Sequence, residues 1–512
     1  MSYETLIANF GFSQDPFASW DADTEDNLED YFIEPPFFNA VFGEPSRPIV
    51  SVVFAPRGGG KSALRRKIEL SSASQSILAI SYTTFPTAQV KLADVDIEYH
   101  LKRIIVLILV GIVASLATDN RHIKLKSDSR KVLYWLIKEH LSDVQQADLR
   151  STVLAVRTMS QAGVEWWNDA IKFINPLVYT ATAVLGASAP ELTLFSTDRP
   201  ELGPLSDQLS LLGLITKEIS VQSILILIDR VDENDLTGND ASKAFTFIAP
   251  LLKNLNILQI KNIGFKFFLW DRLRPSFRDE CRADRIQTYD LEWTHEQIKD
   301  LLSERLRFYS DQRVVSFSSI TDVTGKQNVD DLIAFLSQGS PRNAIRLCKE
   351  ILIQQSEIDA TSDRVSEAAF VNGINIFAKK RAEETVPDAI LRDLQKVGRL
   401  DFTVLYLYRS VFKVTQQAGL QKIQSWGAKG IVTQVGTQKS DGGSKSNHYA
   451  IADPIVGKFI SGFPDIFEFV KEKVRTCPRC RTFNVRDWDI SCVQACRTCQ
   501  RDLDSQTEGH IP

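Results

Sequence analysis

Apolar residues along this chain fall into two rhythms. Short stretches at Ile49–Phe54, Ser76–Tyr82 (alternating apolar and small), Ser223–Ile228, Asn262–Leu269 and the strand-like Ile286–Leu291 predict strands. The run Ser223–Ile228 has no polar interruption, which suits a central parallel strand buried on both faces. Helical spacing recurs in Val95–Leu116, Ser127–His140, Gln145–Val156 and Leu205–Ile219. Thr294–Tyr309 opens with a Thr-x-x-Gln capping box and keeps its leucines on one face. Farther on, helical stretches at Asp388–Val397, Phe402–Phe412 and Gln417–Trp426 lead into two strands, Ile431–Thr437 and His448–Ala452. Gly427 and Gly430 are read as ending the last of these helices. Strands alternating with helices predict an α/β fold around a parallel sheet.

The stretch at about 92–200 reads as a helical insertion, including the apolar, turn-flanked Pro176–Pro190, and nothing in it says what it binds. Its longest apolar run, Ile104–Ala117, falls short of the ~18–20 residues that span a bilayer, so a buried helix is expected and no membrane partner.

The chemistry concentrates where the first strand ends. Ala55-Pro56-Arg57-Gly58-Gly59-Gly60-Lys61-Ser62-Ala63 lies between an apolar strand and a helix-forming sequence, the context of a phosphate-binding loop. Glycines let consecutive backbone N–H groups curl around phosphate oxygens, and the helix N-terminus adds partial positive charge. The motif resembles Walker A of P-loop NTPases, with Ala55 where the usual first glycine stands. The resemblance implies ATP held by Arg57 through Ala63, with Lys61 at the β- and γ-phosphates and the Ser62 hydroxyl on Mg²⁺.

Downstream, the buried run ending in Asp229 resembles Walker B, and Asp229 is the expected second Mg²⁺ residue with Ser62. AAA+ ATPases usually follow this Asp with a catalytic Glu; here Arg230 stands there. Glu233 is the preferred activator of water and Asp232 the alternative, both also readable as a solvated first helical turn. If neither reaches the water, turnover is slow. By the same resemblance Asp271 or Arg272 would sense the γ-phosphate, and Arg282 or Arg285 (with Arg278 nearby) would act as a finger across a subunit interface. Ser337 to Arg346 resembles the sensor 2 turn that opens a lid helix, with Pro341 at its first position and Arg342 reaching for the phosphates. The aromatic and acidic lead-in, NFGFSQDPF (9–17) and YFIEPPFF (31–38), reads as a packing arm, and also looks like the segment that lies near the nucleotide base in such ATPases.

Two smaller modules follow. Three helices and a two-stranded ribbon look like a winged helix, whose third helix and wing would offer Gln421, Lys422, Lys439 and Lys445 to DNA, a protein contact being the alternative. Cys477-x-x-Cys480, fifteen residues, then Cys496-x-x-Cys499 has the spacing of two knuckles that aim four thiolates at one Zn²⁺. Cys492 is spare, and Arg475, Arg479, Arg481, Arg486, Arg497 and Arg501 surround the array.

Composition narrows the rest. In 512 residues, 44% are hydrophobic and 24% charged, as in ordinary globular domains, and a length beyond one core predicts several. The net charge of −4 excludes coating of nucleic acid by bulk electrostatics, so any DNA contact needs a local face. Five of seven cysteines crowd into Cys477–Cys499, which is metal-site usage in a reducing compartment; cytoplasmic localisation is expected. Six scattered histidines offer no further catalytic constellation.

The whole chain is similar to P-loop ATPases of the AAA+/STAND, origin-recognition-like type in bacteria. The resemblance implies an arm (1–48), an ATPase core (49–330) with the insertion, a helical lid (331–385), a winged-helix-like domain (386–470), and a Cys₄ zinc ribbon with tail (471–512). ATP, Mg²⁺ and Zn²⁺ would be its cofactors, and DNA and further copies of the chain its partners. An ATP switch acting on DNA, in replication or mobile-element control or phage defence, competes with a slow nucleotide-gated scaffold that recruits an effector protein.

Overall fold

The computed structural model describes residues 2–87, 90–119, 125–141, 199–323, 328–439, 445–479, 482–487, 493–494, 496, 499, 501 and 503. The chain forms two compact units, Asp21–Glu292 and Met1–Trp20 with Trp293–Pro512.

Asp21–Glu292 is built on five parallel strands: β1 (Ser51–Ala55), β2 (Ile77–Tyr82), β3 (Ser223–Ile228), β4 (Ile263–Trp270) and β5 (Gln287–Asp290). Their order in the sheet is β2-β3-β4-β1-β5. Every residue of β1 to β4 is buried, as the uninterrupted run predicts for β3 and as holds even for Lys266 within β4. The period of two sorts their side chains onto two cores. Val52, Phe54, Ile224, Ile226, Ile228, Phe265 and Phe267 join one; Val53, Ala55, Leu225, Leu227 and Phe268 join the other. Leu64 and Ile68 of the helix Lys61–Ala73 cover the second face. The helices Ile97–Asp119 and Ala241–Leu252 fill the first.

That placement corrects two readings. Ile97–Asp119, within the supposed insertion, is a layer helix; with Leu205–Glu218 beyond the insertion it lies on the route from β2 to β3, which a parallel pair requires. Ile97–Leu116 is also, by length and composition, long and apolar enough to cross a membrane, so the shorter run understated the element. With 78% of its apolar window buried, its hydrophobicity is spent on the sheet and its neighbours. The expected Gln145–Val156 helix and Pro176–Pro190 lie outside the described residues.

In the other unit, the capping box forms as predicted. Thr294 Oγ1 accepts from Gln297 N–H at 3.2 Å, and Gln297 Oε1 accepts from Thr294 N–H at 2.9 Å. The helices His295–Tyr309, Val329–Ser337, Pro341–Asp359 and Glu367–Thr385 follow. Gly373 lets the last two touch: a Cβ there would lie 2.6 Å from Ile351 Cα. The N-terminal arm is divided: its part up to Trp20 packs within this unit, whereas Phe38, Val41 and Phe42 join the second face of the parallel sheet in the other. Phe10, Phe12 and Phe17 are buried, Ser13 N–H donates to Tyr309 O at 2.8 Å, and Arg305 donates to Pro16 O and Ser19 O.

The winged helix comprises the helices Asp388–Val397 and Gln416–Ala428 with β6 (Asp401–Thr403), β7 (Val432–Lys439) and β8 (Lys445–Ile451). The helix expected over Phe402–Phe412 forms over Val404–Val411, α to Tyr406 and π from Leu407. It starts later because Asp401–Thr403 pairs antiparallel with His448–Ala450, and Thr403 Oγ1 caps it by accepting from Tyr406 N–H. Gly427 lies inside its helix; Gly430, at φ +72°, follows the helix end. Helices Pro454–Ser461 and Ile466–Lys473 lead to β9 (Val474–Thr476), β10 (Phe483–Val485) and β11 (Val493–Gln494).

Candidate nucleotide and metal sites

The loop Pro56–Gly60 joins the buried end of β1 to the helix Lys61–Ala73. Gly58 and Gly60 hold φ of +74° and +89°, and a Cβ on Gly59 would sit 2.9 Å from Pro56 O. Only glycine suits all three positions. Lys61 Nζ donates to Ala55 O and Pro56 O, each at 3.1 Å, so the loop curls around its own ammonium. Burial lowers the Lys61 pKa; Asp229, Asp232, Asp271 and Glu233 pull against it. These residues enter from the ends of β1, β3 and β4, so one rim of the parallel sheet gathers the charges.

Ser62 Oγ donates to Asp229 Oδ2 at 2.7 Å. A hydroxyl and a carboxylate this close can share the shell of one hard cation, the donor set expected for Mg²⁺. Beside them lies a group the sequence reading missed. Arg65 is 1% exposed and donates to Asp229 Oδ2 (3.2 Å), Glu69 Oε1 (2.6 Å) and Ser81 Oγ (3.1 Å), and it pairs with Asp23. Burial opposes its charge, but Glu69, Asp229 and Asp23 outweigh that and hold its pKa above the usual range. A partial signal was available: Ser62, Arg65 and Glu69 stand three and four apart along one helix face.

Arg230 adopts φ +60°, and its N–H donates to Asp229 Oδ1 at 2.8 Å. Its guanidinium is drawn to Asp21 (3.0 Å), Asp23 (2.8 Å) and Glu233 (3.9 Å). Asp232 is buried and engaged: Arg57 Nε and Nη2 both donate to its Oδ2, at 2.9 and 2.7 Å. Arg57 also reaches Asn239 and lies 4.2 Å from the centroid of Trp270. Of the two acids, Glu233 is the accessible one, with half its side chain exposed.

The remaining expected residues are distributed. Ala63 continues the P-loop helix, and Arg272 leans on Trp270 at 5.0 Å. Arg278, Arg282 and Arg285 are exposed and face adjacent acids, Asp279 for the first and Asp284 for the other two. In the other unit, Ser340 caps the helix Pro341–Asp359 by accepting from Asn343 N–H, and Arg342 is exposed at its second position. Lys422 turns back to Asp393 at 2.5 Å and covers Phe412, leaving Gln421, Gln424, Ser425 and Lys429 outward on the third helix. Lys439 and Lys445 form the last register pair of the β7–β8 ribbon.

Cys477, Cys496 and Cys499 offer three sulfurs within 4.8 Å of one another; Cys480 and Cys492 lie outside the described residues. Cys477 Sγ and Cys499 Sγ are 3.6 Å apart. Tetrahedral Zn²⁺ with bonds of about 2.3 Å has sulfur–sulfur edges of about 3.8 Å, so the thiols fit that ion. Each knuckle is closed alike: Cys477 N–H donates to Thr482 O and Cys496 N–H to Arg501 O, five residues on in both cases. Two of the surrounding arginines are engaged within the protein. Arg486 is buried beside Asn484, and the half-buried Arg475 donates to Lys471 O and Val474 O.

No family model and no curated protein matches this chain. Among solved structures, it is similar to the Aeropyrum pernix ORC1 protein in complex with DNA. The TM-score is 0.37 and the identity 14%, over 88% of this chain and 97% of that one. It is also similar to the Aeropyrum pernix ORC2 protein in ADPNP–ADP complexes, with TM-score 0.38 and 10% identity over 86% and 96% of the two chains. At such scores the reading of the site rests on its own geometry.

Proposed function

We propose that this protein is an ATP-binding and ATP-hydrolysing switch that couples nucleotide state to DNA binding through its winged helix. The observation that carries the ATPase reading is the 2.7 Å contact of Ser62 with Asp229 beside the glycine loop and Lys61. Lys61 and the loop N–H groups would hold phosphates, Ser62 and Asp229 would hold Mg²⁺, and Mg²⁺ would neutralise charge developing at the phosphates. Glu233 is the better base, because Asp232 is committed to Arg57. Arg282 or Arg285 would serve a neighbouring copy.

The DNA side of the proposal draws on the outward polar face of the third helix and the lysine pair of the wing. The lid and winged helix share a firm joint that could transmit a nucleotide signal. Lys458, steadied by its own Phe463 O at 2.9 Å, donates across to Asn375 Oδ1, and Arg381 pairs with Asp453 at 3.2 Å.

Arg230 favours a second reading. It holds the position next to Asp229 and draws Glu233 toward itself, which suits a slow nucleotide-gated scaffold with a protein effector. ATP turnover with and without double-stranded DNA separates the two, measured beside Lys61→Ala and Glu233→Gln. DNA-stimulated turnover lost in both variants supports the switch. Tight ATP binding with negligible turnover, indifferent to DNA, refutes it in favour of the scaffold.

A further inference from the structure

The cysteine module reads in the sequence as an appendage, yet its strands are built into the rest of its unit. β11 starts immediately after Cys492 and ends two residues before Cys496. It pairs antiparallel with β7, Val493 opposite Thr437 and Gln494 opposite Gly436, and so forms the outer strand of the order β11-β7-β8-β6. The β9–β10 hairpin meets the same sheet: Asn484, Val485 and Arg486 enclose a crevice of only about 10 Å³ with Thr433, Val435 and Ala450. Leu400 N–H donates to Asp487 at 2.8 Å. On the lid side, Phe483 stacks on His295 and meets Phe335 edge-on, both with centroids 4.8 Å apart.

A two-residue strand cannot hold itself on a sheet edge, because a few ladder bonds do not offset the entropy of ordering the flanking chain. β11 needs an anchor. The nearest is Cys496, which is buried, lies within 4.8 Å of Cys477 and Cys499, and accepts from Asn484 Nδ2 at 3.7 Å. Metal–thiolate bonds supply folding free energy that so small a module lacks from packing.

We infer that metal binding at Cys477, Cys496 and Cys499 holds β11 on the edge of the wing, so that the module is a splint between lid and wing and the order of the wing depends on the metal. Its consequence for DNA rests on the proposed function; the splint itself does not.

The test is hydrogen–deuterium exchange of the full-length protein, loaded with Zn²⁺, against the same protein after chelation. Peptides across 432–439 should lose protection at least tenfold and regain it on adding Zn²⁺ alone. Those across 51–55 and 341–359 should not change. Cys499→Ser should reproduce the loss without chelator, and Cys281→Ser, in the other unit, should behave as wild type. Equal exchange of 432–439 with and without metal would overturn the inference. So would a loss extending through 341–359, because the metal would then hold the whole unit. Metal-loaded protein that keeps this response but ignores DNA would refute the proposed function alone.

Discussion

Replacing Arg65 by Met tests whether the buried cation organises Ser62 and Asp229, the pair proposed to hold Mg²⁺. The guanidinium is 1% exposed and serves Asp229, Glu69 and Asp23, the first two with side chains 2% exposed. Its loss is not uniform across them. Asp23 keeps Arg230 at 2.8 Å and Glu69 keeps Arg66 at 3.2 Å, whereas Asp229 loses its nearest cation. Breaking a buried pair typically costs about 3–5 kcal/mol, and the retained partners argue for about 3. In a unit of this size that lowers the melting temperature by about 6–12 °C. Arg65→Lys should fall between, since one ammonium cannot reproduce the planar fork. The assay is urea unfolding followed by tryptophan fluorescence, with and without Mg²⁺ and nucleotide. Ligand should narrow the gap, because Mg²⁺ gives Asp229 a cation again. An Arg65→Met protein within ~1 kcal/mol of wild type, with unchanged nucleotide affinity, would refute the reasoning.

Two further predictions concern buried bases in the same unit. His100 Nε2 donates to Phe247 O at 2.9 Å while Nδ1 accepts from Tyr82 at 3.0 Å, and burial pushes its pKa down to about 4. The unfolded chain then binds the extra proton between about pH 4 and 6.5, so stability should rise with pH across that window by about 3 kcal/mol. His100→Gln should flatten the rise in urea unfolding between pH 4.5 and 7, and a flat wild-type profile would count against it. Lys266 is fully buried, donates to Ile49 O at 2.9 Å, and is brought down to about 7 by burial. Stability should therefore climb from about pH 7 toward 10.5. Lys266→Met should abolish that climb and be the more stable protein at pH 7, and a less stable variant would show that the ammonium has a partner worth keeping.

The core was legible where one local cause dominates. Short, largely apolar runs marked β1 to β4, most cleanly β3 where both faces are buried, and the glycine loop followed from backbone geometry at Gly58, Gly59 and Gly60. The cysteine spacing foretold that Cys477, Cys496 and Cys499 would meet, because residues that could hold one ion sit at fixed offsets. What escaped was set by distant partners. Asp23 and Arg65 are 42 residues apart, and nothing local in an acidic lead-in says that one of its carboxylates meets the P-loop helix. Lys422 looked available until Asp393 claimed it. Asp401–Thr403 and β11 are strands only because β8 and β7 offer them an edge, and runs of three and two residues carry no period to read.

The route of the chain bears on how the protein is made. The arm Tyr3–Trp20 belongs with residues after Trp293, so the ribosome finishes the whole of Asp21–Glu292 before the arm's packing surface exists. At 5–20 residues per second, about 270 residues take roughly 15–55 s. Through that interval Leu6, Ile7, Phe10, Phe12 and Phe17 are apolar groups without a core, attached to a unit that can already fold. A nascent chain of this kind is a natural client for a holding chaperone, and the moment His295–Tyr309 emerges is when it could be released.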